Sequence, residues 1–168
     1  HVNEMLSTID TLESEHSNLK VLMLENYDTY LAKILASSVD IWLNNPLPPF
    51  EASGTSGMKA ILNGVLQLST IDGWVVEAQD KNIGWLFGWQ PRPGEIGEEH
   101  HLRLEEDSKL LYDNLENIIS LYYQTNNRGQ IHTHSEWITK MIHAIAAAGF
   151  FTTDRMVGEY ENKIWKHI

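Results

Sequence analysis

Residues 51–59 read E-A-S-G-T-S-G-M-K and pass without a break into the apolar triplet Ala60-Ile61-Leu62. Two glycines and three hydroxyl side chains fall within residues 53–57, just ahead of a lysine. Glycines let a backbone turn sharply and approach a ligand closely, and the unpaired N–H groups at the start of a helix then point at it. Lys59 sits about one turn inside that helix, beside whatever anion the loop holds. Asn63-Gly64 supplies the stop, since both residues tolerate the left-handed conformation of a helix C-cap. A loop that delivers an anion to a helix start needs a scaffold of strands and helices around it.

Two phosphate loops are excluded by spacing. Between Gly54 and Lys59 the pattern G-x-x-x-x-G-K-[ST] is not met, and no Ser or Thr follows the lysine. The third glycine of a dinucleotide fingerprint is absent as well. On these residues alone, a plain turn into a helix with an exposed lysine stays open.

The rest of the chain supplies the scaffold. Val2, Met5, Leu6 and Ile9 have helical spacing, and the polar stretch 13–18 ends that helix. Residues 19–24 form a continuous apolar run around Lys20 and are predicted to be a buried parallel strand. Residues 25–28 turn the corner, and Asp28 or Thr29 caps a helix whose inner face is Leu31, Ile34 and Leu35, closed by Ser37-Ser38. A short strand follows over 39–43, and Pro46, Pro48 and Pro49 force an extended loop that delivers Glu51. Further strands are predicted over 65–68, 74–77 and 84–87. Strand, helix, strand, loop, helix, strand is the grammar of an α/β fold, and ligands of such folds gather beyond the carboxyl ends of parallel strands.

From Trp89 to Leu104 the period is lost, and Pro91, Pro93, Gly94 and Gly97 among acidic residues read as a surface loop. Glu105-Glu106-Asp107 then reads as a charged helix start. Three helices are predicted to finish the chain. The first carries the stripe Leu111, Leu115, Ile118 and Tyr122 and is broken at 126–129. The second starts at a capping box of Thr133 with Glu136, faces inward with Ile138, Met141, Ile142 and Ile145, and stops at Gly149. The third starts at Thr152 or Thr153, with Met156, Val157, Tyr160 and Ile164 inward. There is no repeat and no obvious linker. A single α/β domain over residues 1–168, with a helical tail over about 104–168, is therefore expected.

A formal charge of −11 argues against a nucleic-acid or anionic-membrane partner, both of which need clustered Lys and Arg. Neutral polyols remain compatible with it. With no cysteine there is no disulfide frame and no thiolate chemistry, which fits a reducing cytoplasm. No signal peptide or membrane-length apolar run is present. The chain opens on His1 rather than methionine, as an excised piece would.

The whole string is more specific than its glycines. Asp40-Ile41-Trp42-Leu43-Asn44, then E-A-S-G-T-S-G-M-K-A-x-x-N-G, then residues 68–74 (L-S-T-I-D-G-W) and Glu77 resemble the α-glucan phosphorylases, the pyridoxal-phosphate enzymes that include glycogen and starch phosphorylase. The S-G-M-K form and the following D-G-W are closer to the short bacterial and archaeal branch. Weaker resemblance runs from about residue 20 to about residue 160, and Arg155-Met156-Val157-x-Glu159-Tyr160 is similar to a string near the end of those enzymes, with Gly158 where arginine is expected.

The resemblance implies the C-terminal part of a two-lobed GT-B glycosyltransferase, a Rossmann-like parallel sheet followed by a helical tail. It implies retaining phosphorolysis of α-1,4-glucan by orthophosphate to glucose 1-phosphate. Lys59 would hold pyridoxal 5′-phosphate covalently, and Thr55 and Ser56 would hold its phosphate with backbone N–H groups and the Thr55 hydroxyl. Glu51, Ser53 and Gly54 match positions that bind hydroxyls of the transferred glucose, with Glu51 an acceptor rather than the catalytic acid. Tyr27 matches a tyrosine packed near the cofactor ring, although aromatic core packing explains it almost as well. The basic residues for substrate phosphate and the N-terminal lobe would lie outside this stretch. The piece alone is therefore expected to be inactive and to hold the cofactor weakly if at all, and a homo-oligomer is left open.

Two other readings compete: half of a sugar-nucleotide-dependent glucosyltransferase of the same architecture, and a glucan-binding fragment without chemistry. Asp72 and Glu77 could form a carboxylate pair for glycoside hydrolysis, but carboxylates at strand edges near turns bond to backbone, and the phosphorylase string contains both. His132-x-His134 has ligand spacing without a recognisable third ligand, so no metal is expected there, and His100-His101 reads as solvated. Of six tryptophans, Trp42, Trp74 and Trp85 are expected in the core and Trp89 at the surface.

Overall fold

The computed structural model describes residues 2–88, 98–126, 128–129 and 134–167, with backbone alone at 2, 98–102 and 167. The chain divides into two units, His1–Ala32 and Lys33–Ile168. Trp89, residues 90–97, Asn127, His132 and Thr133 lie outside the described residues, as do the side chains of His100 and His101. No described helix is long and apolar enough to cross a membrane.

In the first unit, α1 (Val2–Glu15) follows the predicted helical spacing and runs a turn further. Its Glu13 carboxylate accepts the Val21 N–H at 2.7 Å and faces Lys20 at 3.6 Å. Residues 19–24 do not form the predicted strand, and Leu22 is 80% exposed. An apolar run asks for burial but does not by itself find a ladder partner, and no described strand pairs with it. Asp28 caps α2 (Thr29–Ser38) as expected, its Oδ1 accepting the Leu31 N–H at 2.7 Å. The boundary between the units falls inside α2.

The second unit is built on a parallel three-stranded sheet in the order β1 (Ile41–Asn44), β2 (Leu66–Thr70), β3 (Gly84–Phe87). Asn44 lies beside Ser69, and Thr70 beside Phe87. β2 is buried along its whole length, as a central parallel strand covered on both faces must be. Between β1 and β2 runs α3 (Thr55–Ile61), which stops where predicted: Gly64 has φ 78° and donates its N–H to Ile61 O at 3.0 Å. Between β2 and β3 the predicted strand over 74–77 is instead a 3₁₀ helix, Gly73–Ala78. Asp72 at its N-cap accepts the Gly73 N–H, and this capping outweighs the strand preference of Trp74-Val75-Val76.

α4 (Glu98–Tyr122) begins inside the region predicted as loop, so Glu105-Glu106-Asp107 lies well within a helix rather than at its start. Its expected stripe holds, with Ile118 buried and Leu111, Leu115 and Tyr122 packed on the core. α5 (Ser135–Ala148) packs Met141 on the core as predicted but turns the other three predicted positions outward. Trp137, Ala144, Ala147 and Ala148 are buried, whereas Ile138, Ile142 and Ile145 are half or more exposed. Small residues let α5 lie close against α3 and β2, and Trp137 fills the wider end against Trp85 and Tyr122, ring centroids 5.8 and 4.9 Å away. His134 at the N-cap of α5 has φ 46° and makes no side-chain cap bond.

Thr152 caps α6 (Thr153–Lys163) as expected, but no residue of α6 is buried, and the predicted inward Met156, Val157, Tyr160 and Ile164 are exposed. A short 3₁₀ turn, Trp165–His167, follows. The core is Ile61, Leu66, Leu68, Trp74, Val75, Ile83 and Phe87, closed by Ile118 and Trp137. Each large apolar side chain buried there contributes about 1.5–3 kcal/mol. Trp74 is buried as expected, and Trp42 and Trp85 are half-buried on their strands.

Candidate functional site

Because β1 and β2 are parallel neighbours, the loop leaving β1 and the turn leaving β2 start side by side at the carboxyl end of the sheet. Thr70 at the end of β2 donates its hydroxyl to Pro46 O at 3.0 Å, tying the two exits together. Further along, the Glu51 N–H donates to Asp72 Oδ2 at 2.9 Å and the Trp74 N–H to Ser53 O at 2.9 Å. The stretch carrying Glu51 and Ser53 is thus held by backbone bonds on its flank, and its side chains are left for other contacts.

Gly54 then bends the chain into α3. Its φ of 80° and ψ of 43° are left-handed, and a Cβ there would lie 2.9 Å from Glu51 Oε1 and 3.2 Å from Trp74 Cδ1. A glycine at the N-cap leaves the helix start without a side-chain cap, so the Thr55 and Ser56 N–H groups remain available to an acceptor. α3 is set down on β2 through Gly57, where a Cβ would come within 2.7 Å of Gln67 Oε1 and 3.1 Å of Trp74 Nε1. Thr55 and Lys59, four apart, share one face of α3, and both are exposed. The Lys59 amine has no hydrogen-bond or ion-pair partner among the described residues.

Glu51, Ser53, Gly54, Thr55, Ser56 and Lys59 are therefore gathered in one loop–helix unit beyond the sheet. Tyr27 belongs to the first unit, where it is exposed. The donor set fits a ligand with one phosphate and one aldehyde: free backbone N–H groups with a hydroxyl for the first, and an unengaged primary amine one turn on for the second.

Asp72 and Glu77 do not form a hydrolytic pair. Asp72 spends both oxygens on backbone N–H groups, and Glu77 Oε2 meets Arg155 Nη2 at 2.8 Å. Arg155 also bonds Glu159 at 2.9 Å and lies 3.9 Å over the Phe150 ring, which joins α6 to the 3₁₀ helix. The Lys163 ammonium bonded to Glu159, with Arg155 beside it, holds that carboxyl below its usual range. A cavity of about 680 Å³ runs between Ser53, Trp74, Arg155 and Tyr160, but Thr55, Ser56 and Lys59 do not line it. These contacts of Asp72, Gly57 and Arg155 were not legible as site support in the sequence. The available signal is Asp72 itself, a carboxylate near a turn and so expected to bond to backbone, although the sequence does not point to Glu51 as the partner.

Fold and site together define an α/β protein with an uncapped, glycine-turned helix start and, at the carboxyl end of a parallel sheet, a lysine without a partner among the described residues. The sequence model of the carbohydrate phosphorylase family matches residues 1–92. Glycogen phosphorylase of Aquifex aeolicus is 42% identical over 151 residues, 89% of this chain and 20% of that protein. Maltodextrin phosphorylase of Thermococcus litoralis is 44% identical over 148 residues, 87% of this chain and 16% of that protein. Glycogen phosphorylase of Mycobacterium tuberculosis is 36% identical over 143 residues, 84% of this chain and 16% of that protein. The chain belongs to the carbohydrate phosphorylase family, and it spans a fifth or less of the length of these relatives.

Proposed function

We propose that this chain is the C-terminal part of an α-glucan phosphorylase, a two-lobed GT-B enzyme of the cytoplasm that converts α-1,4-glucan and orthophosphate to glucose 1-phosphate with retention. The observation that carries this reading is the loop–helix unit of residues 51–59, with the Lys59 amine, unpartnered among the described residues, one turn beyond an uncapped helix start. Lys59 anchors pyridoxal phosphate, and the N–H groups of Thr55 and Ser56, with the Thr55 hydroxyl, take its phosphate. When bound, that group supplies a phosphate poised to exchange protons with substrate orthophosphate.

The protein's own residues do the holding. Glu51 accepts from a hydroxyl of the transferred glucose, and Ser53 adds a second polar contact. Gly54 has no side chain to keep substrate away from the backbone. Two polyanions side by side demand more positive charge than residues 51–59 contain, since Lys59 is the one cation in that stretch. The remaining cations and the lobe that closes the cleft come from elsewhere in the longer polypeptide, so the 168-residue chain alone releases no glucose 1-phosphate.

Borohydride reduction of the full-length enzyme followed by peptide mass analysis should find a pyridoxyl adduct on Lys59, and Lys59→Arg should abolish both the adduct and phosphorolysis. Normal turnover by Lys59→Arg without a vitamin B6 derivative refutes the reading. Glucose 1-phosphate released by the purified chain refutes its dependence on the missing parts.

A further inference from the structure

Asp72 lies two residues beyond the end of β2 and is 6% exposed. Its carboxylate accepts from two backbone donors at once, Oδ2 from Glu51 N–H at 2.9 Å and Oδ1 from Gly73 N–H at 2.8 Å. The first bond reaches back 21 residues to the start of the loop's functional stretch. The second opens the 3₁₀ helix, whose Trp74 N–H grips Ser53 O at 2.9 Å. Gly73 closes the contact, because a Cβ there would lie 2.6 Å from Ser53 O and 3.0 Å from Glu51 Cγ. One buried carboxylate, and the turn it starts, therefore fix the backbone at both Glu51 and Ser53.

We propose that Asp72 is the positioning residue for the sugar-facing half of the loop, residues 51–53. Asp72 bonds no residue of the anion-facing half, residues 55–59, which α3 sets down on β2 through Gly57 against Gln67, with the Trp74 ring alongside. Gly54 is the joint between the halves. The proposal rests on the reading of Glu51 and Ser53 as glucose contacts. A carboxylate is needed at position 72 because both neighbours are donors and one side chain must accept through each of two atoms. Asparagine offers one oxygen and turns an NH₂ toward the other N–H, so one bond is lost whichever way the amide is flipped. The side chain hardly changes in size, so the disturbance falls on the loop and not on the core.

The test uses the full-length enzyme with Asp72→Asn, Glu51→Gln and the double variant, measuring pyridoxal phosphate per chain and KM for glucose 1-phosphate. Asp72→Asn should keep its cofactor and raise KM about ten- to a hundredfold, the scale of a displacement near 1 Å of a binding group. On the Glu51→Gln background the same change should have a smaller effect than in the parent enzyme, the remainder being its hold on Ser53 through the turn. Loss of cofactor in step with sugar binding, effects that multiply, or an unchanged KM in Asp72→Asn would each overturn the proposal. If Glu51→Gln alone leaves KM unchanged, the glucose reading of Glu51 fails, and the proposal with it.

Hydrogen exchange on the unsubstituted enzyme gives a readout that needs no variant. The Glu51 and Trp74 amides should be protected before substrate is added and unchanged after it. Free exchange at Glu51 in the absence of substrate also overturns the proposal.

Discussion

Gly57 and Gly158 both occupy helix interiors, yet alanine should act on them in opposite directions. At Gly158 an added Cβ meets nothing within 4 Å, so alanine gains helix propensity alone, up to about 1 kcal/mol. At Gly57 the same gain is set against contacts of 2.7 Å with Gln67 Oε1 and of 3.1 and 3.2 Å with the Trp74 indole. Gln67 is 1% and Trp74 6% exposed, so neither has solvent to swing into, and the ring is rigid. Overpacking of this kind costs about 1–3 kcal/mol, leaving Gly57→Ala destabilising by about 1 kcal/mol and at most about 2. At roughly 2.1 cal/mol/K per residue, unfolding entropy is about 350 cal/mol/K for this chain, so each 1 kcal/mol moves the melting temperature by about 3 °C. Thermal unfolding of the two variants beside the parent chain should show Gly57→Ala lower and Gly158→Ala higher. If Gly57→Ala stabilises as much as Gly158→Ala, α3 does not rest on β2 through Gly57, and the placement of Lys59 derived from that contact is wrong.

Two further outcomes follow from the geometry. Asp107 on α4 is half-buried beside Gly88, and burial, aided by Glu106 and opposed by Arg103, raises its carboxyl above the ordinary range. The folded state then holds that proton more tightly than the unfolded one, so stability falls as pH rises from the ordinary Asp value of about 3.9 toward the raised one. Asp107→Asn should raise the melting temperature at neutral pH, with the difference vanishing below that window. On α5, Ile142→Ala should change stability by less than about 0.5 kcal/mol because the side chain is 59% exposed, whereas Trp137→Ala should cost about 3–5 kcal/mol in urea melts.

What the sequence revealed of the fold divides by range. Asp28 capping α2, Gly64 ending α3 and Thr152 capping α6 are settled within a few residues, and each was legible. Residues 19–24 and 74–77 depart from the expected strands because the deciding partner is distant. A strand needs a neighbour with which to pair, and Trp74 sends its N–H to Ser53 instead. The stripe of α5, Met141 apart, departs from expectation for a different reason. Hydrophobicity ranks Ile138, Ile142 and Ile145 above alanine, whereas close approach to α3 and β2 selects Ala144, Ala147 and Ala148. Residues 98–104 carry no apolar period, so a helix that is polar over its first turns left no stripe to read.

The backbone geometry of the candidate loop was legible where it is contiguous. A glycine turn, a helix start and a lysine one turn later are local features, and the six residues named between positions 51 and 59 fall together in the structure. Its support was not legible, because that support acts on backbone rather than on ligand. Asp72 shows no spacing that marks it as a partner of Glu51, and a carboxylate accepting two N–H bonds looks in sequence like any acid at a turn. The same residue that suggested a hydrolytic pair with Glu77 is thereby excluded from one: both its oxygens are already engaged, and Glu77 is drawn away by Arg155. Asp72 and Glu77 are thus committed to holding the fold, and the polar groups of the loop–helix unit left without a partner among the described residues include the Glu51 carboxylate and the Lys59 amine.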